Sequence, residues 1–236
     1  MNLQRLDKII SSQFNISRSV ARTAVRRGKV TVGGEVVRDP SYSTDPEKEQ
    51  IAYCGQALKY KKHIYLVLNK PKGVLSASTD KNRQTVVDLV PENLKRAGLA
   101  PVGRLDRDTT GLLLITDDGE FAHKVISPKS EILKTYDVVL DGEITPNVKE
   151  EFLNGITLVD GTKCKSALLE ITAPKKARVK ISEGKYHQIK RMFGVLGLGV
   201  EDLKRVSVGN FSLPLDIKEG ECREITQEEK NSIFMA

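Results

Sequence analysis

Apolar residues near the start of the chain follow the spacing of two short helices and a hairpin. Five apolar residues recur at helical intervals: Leu3, Leu6, Ile9, Ile10 and Phe14. This spacing predicts a helix with one buried face. Ser17 is suited to cap a second helix, which we expect to run to about Arg27 and to end at Gly28. The next segment, "KVTVGGEVVR", alternates apolar and polar residues on both sides of two glycines, which predicts a hairpin with a tight turn.

From residue 65 onward, short apolar runs alternate with amphipathic segments. The apolar runs predict six strands, at residues 65–69, 112–116, 134–141, 167–172, 177–182 and 203–208. The periodic segments predict four helices, at residues 85–89, 120–125, 146–153 and 186–196. This alternation is too irregular for repeated strand–helix–strand units. The sequence therefore predicts an α+β fold with a mixed, largely antiparallel sheet.

A polar and basic segment, "GQALKYKKH" at residues 55–63, separates the two regions. We therefore predict a small domain at residues 1–58, a linker at residues 59–63 and a larger domain at residues 64–236. A chain of 236 residues is long enough for two domains of unequal size.

The composition is typical of a globular protein, with 39% hydrophobic and 29% charged residues. No apolar stretch approaches the ~18 residues that cross a bilayer. The N-terminus also lacks the apolar core of a secretion signal, so we expect a cytoplasmic protein. Three cysteines, at positions 54, 164 and 222, and three histidines lie far apart along the chain. We therefore expect neither a disulfide framework nor a metal site.

The net charge of +7 is unevenly distributed along the chain. A basic surplus is typical of proteins that bind a polyanion such as nucleic acid. Residues 15–30 contain five basic residues and no acidic one: Arg18, Arg22, Arg26, Arg27 and Lys29. The first three are four residues apart and share one helix face. A solvated helix face is the alternative, but such a face normally mixes charges of both signs, so we interpret the cluster as a phosphate-binding surface.

The first fifty residues resemble a known RNA-binding module. The opening "RLDK", the "SR" that begins the second helix and the "RRGKVTV" transition are similar to the αL-type RNA-binding domain, which takes its name from a ribosomal small-subunit protein. The resemblance implies that this domain holds structured RNA through a helix and the following hairpin, without acting on it. Arg5, in the opening motif, therefore joins the candidate RNA-binding residues.

Charges of both signs precede the most apolar run of the larger domain. In "GRLDRDTTGLLLITDDGE", residues 103–120, Asp106 and Asp108 alternate with Arg104 and Arg107. A solvated turn is the simplest interpretation. A carboxylate that neighbouring arginines keep ionised, at the start of a buried strand, is also a candidate nucleophile or base. Paired carboxylates that hydrolyse glycosides or bind Mg²⁺ are a third possibility, although the arginines disfavour a metal.

Four motifs, in order along the chain, resemble those of RNA pseudouridine synthases. "GRLDRDTTGLLLITDDG" is similar to the core motif of this family, and "LNKPKG", residues 68–73, to its first motif. "KTYDVVL", residues 134–140, resembles the stretch with the active-site tyrosine. "ISEGKYHQIKRMF", residues 181–193, resembles the last motif, which carries a basic residue. The resemblance covers essentially the whole chain and implies a pseudouridine synthase catalytic domain after the RNA-binding domain.

The resemblance implies a reaction and a set of residue roles. The enzyme would break the C1′–N1 bond of a uridine, rotate the uracil and rejoin it through C5, without a cofactor. Asp106 would be the essential carboxylate, acting by attack at C1′ or by removal of the 2′ proton. Tyr136 would stack on the uracil, and Lys190 would be the basic partner that orients Asp106.

Further residues of the larger domain are expected to hold the RNA. Arg104 is expected to contact a phosphate or to help flip the uridine out of its stack. Lys70 and Lys72, in the turn of the first motif, are expected to contact the RNA backbone. His187 is expected to be structural.

The arrangement of domains bears on the choice of RNA. Members of the family act on either small-subunit or large-subunit rRNA. A front domain without a long basic C-terminal extension resembles the members that act on 16S rRNA. We therefore expect 16S rRNA, or a small-subunit assembly particle, as the partner of a monomeric enzyme. Two alternatives stay open: a 23S rRNA synthase with the same chemistry, and a non-catalytic RNA-binding assembly factor.

Overall fold

The computed structural model describes residues 3–235, which form two compact units. The first contains the described residues up to Ile64 together with Glu92–Leu99, and the second contains Tyr65–Pro91 and the described residues from 100 onward. The sequence placed residues 92–99 in the larger domain. In the structure this segment begins with a short 3₁₀ helix, and the guanidinium of Arg96 donates hydrogen bonds to the carbonyls of Lys61 (3.0 Å) and Lys62 (3.3 Å).

The first unit consists of two helices and six short strands around one core. The helices are α1 (Leu6–Gln13) and α2 (Arg18–Arg26), and the strands are β1 (Gln4–Arg5), β2 (Val30–Val32), β3 (Glu35–Val36), β4 (Ser43–Thr44), β5 (Ile51–Tyr53) and β6 (Gln56–Ala57). As predicted, the Ser17 hydroxyl caps α2 by accepting a hydrogen bond from the Val20 N–H. The predicted hairpin is β2–β3, within a sheet of order β3-β2-β5-β6. Apolar residues of both helices and of β2 and β5 form the core.

The second unit contains one nine-stranded sheet and four helices. Its strands are β7 (Tyr65–Lys70), β8 (Ala100–Pro101), β9 (Thr110–Thr116), β10 (Lys134–Leu140), β11 (Leu168–Ala173), β12 (Lys176–Ile181), β13 (Val200–Val208), β14 (Phe211–Ser212) and β15 (Cys222–Glu224). Its helices are α3 (Gly119–Ile126), α4 (Asn147–Asn154), α5 (Gln188–Val195) and α6 (Gln227–Ser232). Among the described residues, no helix is long and apolar enough to cross a bilayer.

The sheet of the second unit is mixed and largely antiparallel, as the sequence predicts. Seven strands follow the order β11-β12-β10-β13-β9-β7-β15, and β14 and β8 pair with β13 and β9. Among these pairs, β9 and β13 run parallel. Every residue of β9 is buried, which explains its continuous apolar run.

Gly111 allows β9 and β13 to approach closely. Its φ of +98° lies in a region that side chains rarely adopt, and a Cβ at this position would collide with the Arg205 carbonyl. The glycine in the "TTGLLL" motif therefore has a packing role. It lets the strand that follows the Asp106 loop pair closely with β13.

The predicted helix at residues 85–89 is wrong, because this segment forms turns. The Asp88 carboxylate accepts hydrogen bonds from the N–H (2.7 Å) and the hydroxyl (2.9 Å) of Thr85, which satisfies the backbone locally. Pro91 then disfavours helical geometry at the preceding residue. Val86 and Val90 are buried although the segment is not helical.

Candidate active site

Asp106 lies in the loop between β8 and β9, just before the buried strand. The Ser76 hydroxyl holds the residue that precedes Asp106, donating to its carbonyl (2.7 Å) and accepting from its N–H (3.0 Å). On the other side, the ammonium of Lys70 donates to the carbonyls of Arg107 (3.3 Å) and Thr109 (3.0 Å). The loop is therefore fixed on both sides of the carboxylate, as a preorganised site requires.

Lys70 is fully buried, which contradicts its predicted contact with the RNA backbone. Its ammonium also donates to the Pro71 carbonyl (2.9 Å), so three carbonyls surround it. Burial lowers the pKa of Lys70 to about 8, while the negative charges of Asp108 and Asp106 oppose this shift. This lysine supports the loop that carries Asp106 and is inaccessible to a phosphate.

Two side chains from the last motif lie against the carboxylate of Asp106. The Nζ of Lys190 is 3.6 Å from Oδ2, and the Nε2 of His187 is 3.5 Å from Oδ1. The same Lys190 ammonium is 2.5 Å from Oδ1 of Asp108, and this hydrogen bond lowers the pKa of Asp108. Lys190 therefore holds both carboxylates of the core motif at once.

His187 reaches Asp106 through an uncommon backbone conformation. It immediately precedes α5 with a φ of 49°, in the left-handed region, and its ring stacks on Tyr186 with centroids 3.8 Å apart. Backbone strain of this kind clusters at functional sites. We expected a structural histidine, because hydrophobic spacing gives no sign of this turn. The position of His187 in the last motif, three residues before Lys190, could have indicated that it lies near the carboxylate.

Asp106 opens onto a small cleft of about 70 Å³. Tyr136, on β10, lines this cleft with 8% of its surface exposed, and the exposed Arg104 also lines it. Four apolar side chains complete the walls: Leu105, Ile181, Ile189 and Leu203. A few polar groups among apolar walls are typical of small-molecule sites. The structure thus brings three of the predicted residues to one cleft, with Lys190 against the carboxylate.

Comparison with known proteins places this geometry in a family. Residues 64–194 match the RNA pseudouridylate synthase family, and residues 4–49 match the S4 domain. The chain is 39% identical to ribosomal small subunit pseudouridine synthase A of Escherichia coli K12, over 97% of this chain and 99% of that protein. This chain belongs to the RNA pseudouridine synthase family.

Other relatives agree with this assignment. An uncharacterized RNA pseudouridine synthase of Bacillus subtilis strain 168 is 39% identical over 95% of this chain and 96% of its own length. A crystal structure of a pseudouridylate synthase superposes with a TM-score of 0.69 at 36% identity, covering 97% of this chain and 99% of that chain. The predicted enzyme class, an isomerase, and the predicted fold are therefore confirmed.

In the S4 domain of this synthase, a buried carboxylate partly neutralises the arginine face of α2. Asp7, on α1, accepts hydrogen bonds from Arg5, Arg18 and Arg22. Burial would raise the pKa of Asp7, but the three guanidinium contacts outweigh it and hold the pKa well below the usual range. The sequence prediction considered only residues 15–30 and so missed this partner. All five basic residues of the predicted cluster are exposed, and three of them lie outside the contacts with Asp7: Arg26, Arg27 and Lys29.

Lys72, the second lysine of the first motif, remains exposed in the synthase. Its ammonium forms a 2.7 Å ion pair with Asp202, which raises the pKa of Lys72. An exposed ion pair of this kind is weak and can exchange for a phosphate contact. The predicted role of Lys72 therefore stays a prediction.

Proposed function

We propose that this synthase converts a uridine of 16S rRNA to pseudouridine, with Asp106 as its essential carboxylate and without a cofactor. The observation that carries the proposal is the position of Asp106, on a loop fixed at both ends and at a cleft lined by Tyr136. The choice of RNA is supported by the relative named ribosomal small subunit pseudouridine synthase A, which is similar over nearly the whole chain.

The carboxylate of Asp106 suits either of two reaction paths, attack at C1′ or removal of the 2′ proton. In both, the C1′–N1 bond breaks, the C1′–C5 bond forms, C5 loses a proton and N1 gains one. In this proposal, Tyr136, which lines the cleft, stacks on the uracil while it turns, and Lys190 and His187 orient the carboxylate. The apolar walls limit access of water to the intermediate.

We further propose the division predicted from the sequence: an RNA-binding domain at residues 1–58, a linker at 59–63 and a catalytic domain at 64–236. The two family matches, at residues 4–49 and 64–194, lie on either side of this linker and support it. The exposed basic residues of the S4 domain would position the rRNA for the catalytic domain. A monomeric, cytoplasmic enzyme is part of the same proposal.

The first experiment is tritium release from 16S and 23S rRNA labelled with 5-³H-uridine, each offered also as a ribonucleoprotein particle. We expect release from 16S rRNA alone, because the C5 proton leaves when the new bond forms. Asp106→Asn should lower the rate by roughly 10³-fold or more while leaving RNA affinity largely unchanged. Asp80→Asn, an isosteric change in an exposed turn, is the matched control and should keep wild-type release.

Each other outcome would change a different part of the proposal. Release from 23S rRNA would keep the mechanism and change the substrate. Release that persists in Asp106→Asn would refute the role of this carboxylate. No release from any RNA, together with tight RNA binding, would favour a non-catalytic assembly factor.

A further inference from the structure

A second cleft adjoins the one at Asp106. It encloses about 500 Å³ and shares three lining residues with the first cleft: Arg104, Tyr136 and Gly184. Its apolar walls come from β9, α3, β13 and the segment before Arg104. The proposed reaction takes place in the first cleft, so it does not explain which residues line the second cleft.

Two cationic side chains from neighbouring strands line the second cleft. In the antiparallel pair β10–β13, Tyr136 lies opposite Arg205 and Lys134 lies opposite Val208. Opposed residues point to the same side of a sheet, so both cations face the cleft together with Tyr136. Arg205 is only 5% exposed, and its Nε donates to the Leu112 carbonyl (2.7 Å).

These two cations lack an acidic partner within residues 3–235. The guanidinium of Arg205 is fixed by one backbone carbonyl, and Lys134 makes no ion pair with any described carboxylate. Burial and the neighbouring charge of Arg205 lower the pKa of Lys134 to about 8. A bound anion would relieve both the burial cost and the repulsion between the cations.

Glu183 contributes a carboxylate to the same cleft, but this group is already occupied. It accepts hydrogen bonds from the Lys165 N–H (2.9 Å) and the Gln188 amide (2.8 Å), and it forms a 3.2 Å ion pair with Lys185. His123 also lines the cleft. The positive charges of Lys134 and Arg205 are therefore available to a ligand that carries its own negative charge.

We propose that the second cleft binds a phosphodiester next to the target uridine, with Lys134 and Arg205 as its ligands and the apolar wall against the adjoining ribose. This inference rests on the proposed function, because it places the uracil in the cleft at Asp106. RNA carries a phosphate on each side of every nucleotide, so a uracil at Asp106 brings an anion into the neighbouring space. Guanidinium and ammonium groups are the side chains that bind phosphate best.

The test is the affinity of each variant for a 16S rRNA transcript, titrated at several salt concentrations. Lys134→Gln removes the charge with little change in size. The dissociation constant should rise roughly five- to tenfold, and the slope of log K against log salt should become shallower by about 0.7, as for one phosphate on a single strand. Lys134→Arg should restore both values. Lys180→Gln is the matched control, because this exposed lysine lies opposite Thr135 on the other face of the sheet.

An unchanged dissociation constant and salt slope in Lys134→Gln, in a protein with wild-type melting temperature, would overturn the inference. A loss of turnover with unchanged RNA binding would also overturn it, because Lys134 would then only position Tyr136. Failure of the proposed function is measured separately by tritium release: the wild type would then release none from 16S rRNA, or Asp106→Asn would retain release. Failure of this inference can therefore be distinguished from failure of the proposed function.

Discussion

At the scale of single residues, buried and partly buried charges fix the geometry of the site. The ammonium of Lys70 connects β7 to a loop carbonyl 37 residues further along the chain, and its hydrogen-bond acceptors are backbone carbonyls. Lys190 instead forms ion pairs, with its ammonium near the carboxylates of Asp106 and Asp108. Buried or partly buried ions that are fully hydrogen-bonded restrict geometry, which is what a catalytic carboxylate needs.

Replacing Lys70 by Met tests this support. Three carbonyls lose their donor, so we expect the free energy of unfolding to fall by about 3 kcal/mol and turnover to fall with it. Urea denaturation and tritium release measure the two effects. Lys81→Met, at an exposed lysine of the same unit, is the control. Equal stability of the two variants would contradict the role assigned to Lys70.

The same substitution should change how stability depends on pH. The pKa of Lys70 is about 8 in the folded protein, below the 10.5 of an ordinary lysine. The unfolded chain therefore binds this proton more tightly, and the contribution of Lys70 to stability rises with pH between these two values. Urea denaturation at pH 8 and pH 10 should show this rise in the wild type and a smaller rise in Lys70→Met.

At the scale of elements, the position of the site depends on how two strands meet. The parallel pairing of β9 with β13 brings Arg205 beside Gly111. The Asp106 loop directly precedes this paired end of β9. The neighbouring strand β10 then carries Tyr136, which lines both clefts, and Lys134, which lines the second cleft. The sheet therefore positions Tyr136, whereas Asp106 comes from a loop and Lys190 from α5.

Gly111→Ala should disturb this arrangement. The new Cβ would meet the Arg205 carbonyl, and the backbone at a φ of +98° is strained for alanine, so we expect a loss of about 3 kcal/mol in the free energy of unfolding. Gly119→Ala is the matched control, because no atom lies within 4 Å of its added Cβ. Thermal melting of both variants measures the difference. A Gly111→Ala protein as stable as the control would contradict the packing role of Gly111, because the two strands would then separate without a loss in the free energy of unfolding.

At the scale of the whole molecule, the synthase carries two kinds of basic surface. In the S4 domain, the single carboxylate of Asp7 offsets only part of the positive charge of Arg5, Arg18 and Arg22. Three further basic residues follow along the chain: Arg26, Arg27 and Lys29. In the catalytic domain, cations line the clefts themselves. The S4 domain is expected to contribute affinity and the catalytic domain to contribute turnover.

Removal of the exposed charges of the S4 domain tests this division of roles. The triple substitution changes three residues to Gln: Arg26, Arg27 and Lys29. We expect weaker binding to 16S rRNA and a salt slope shallower by about 2, with an unchanged rate at saturating RNA. A charge-matched control replaces three exposed lysines elsewhere in the same unit: Lys8, Lys48 and Lys62. If both triple variants bind equally well, the proposed surface has no special role.

Much of the fold could be predicted because its signals are local. Hydrophobic spacing and turn residues predicted the Ser17 cap, the β2–β3 hairpin and every long strand of the second unit to within a few residues. The helix expected at residues 85–89 failed because the Asp88 side chain competes for the backbone there. The motif around Asp106 could be recognised for a similar reason, since its glycine and alternating charges are contiguous in the chain.

The sequence by itself determined the two-part order of the chain, the class of sheet and the family motifs, because each depends on residues close together along the chain. Only the tertiary structure decided which charges are accessible and which groups meet. Lys190 lies 82 residues from Asp108, and the partner of Arg22 comes from another helix. Such contacts depend on the register of distant strands and helices. The same dependence buried Lys70 and formed the second cleft beside Asp106.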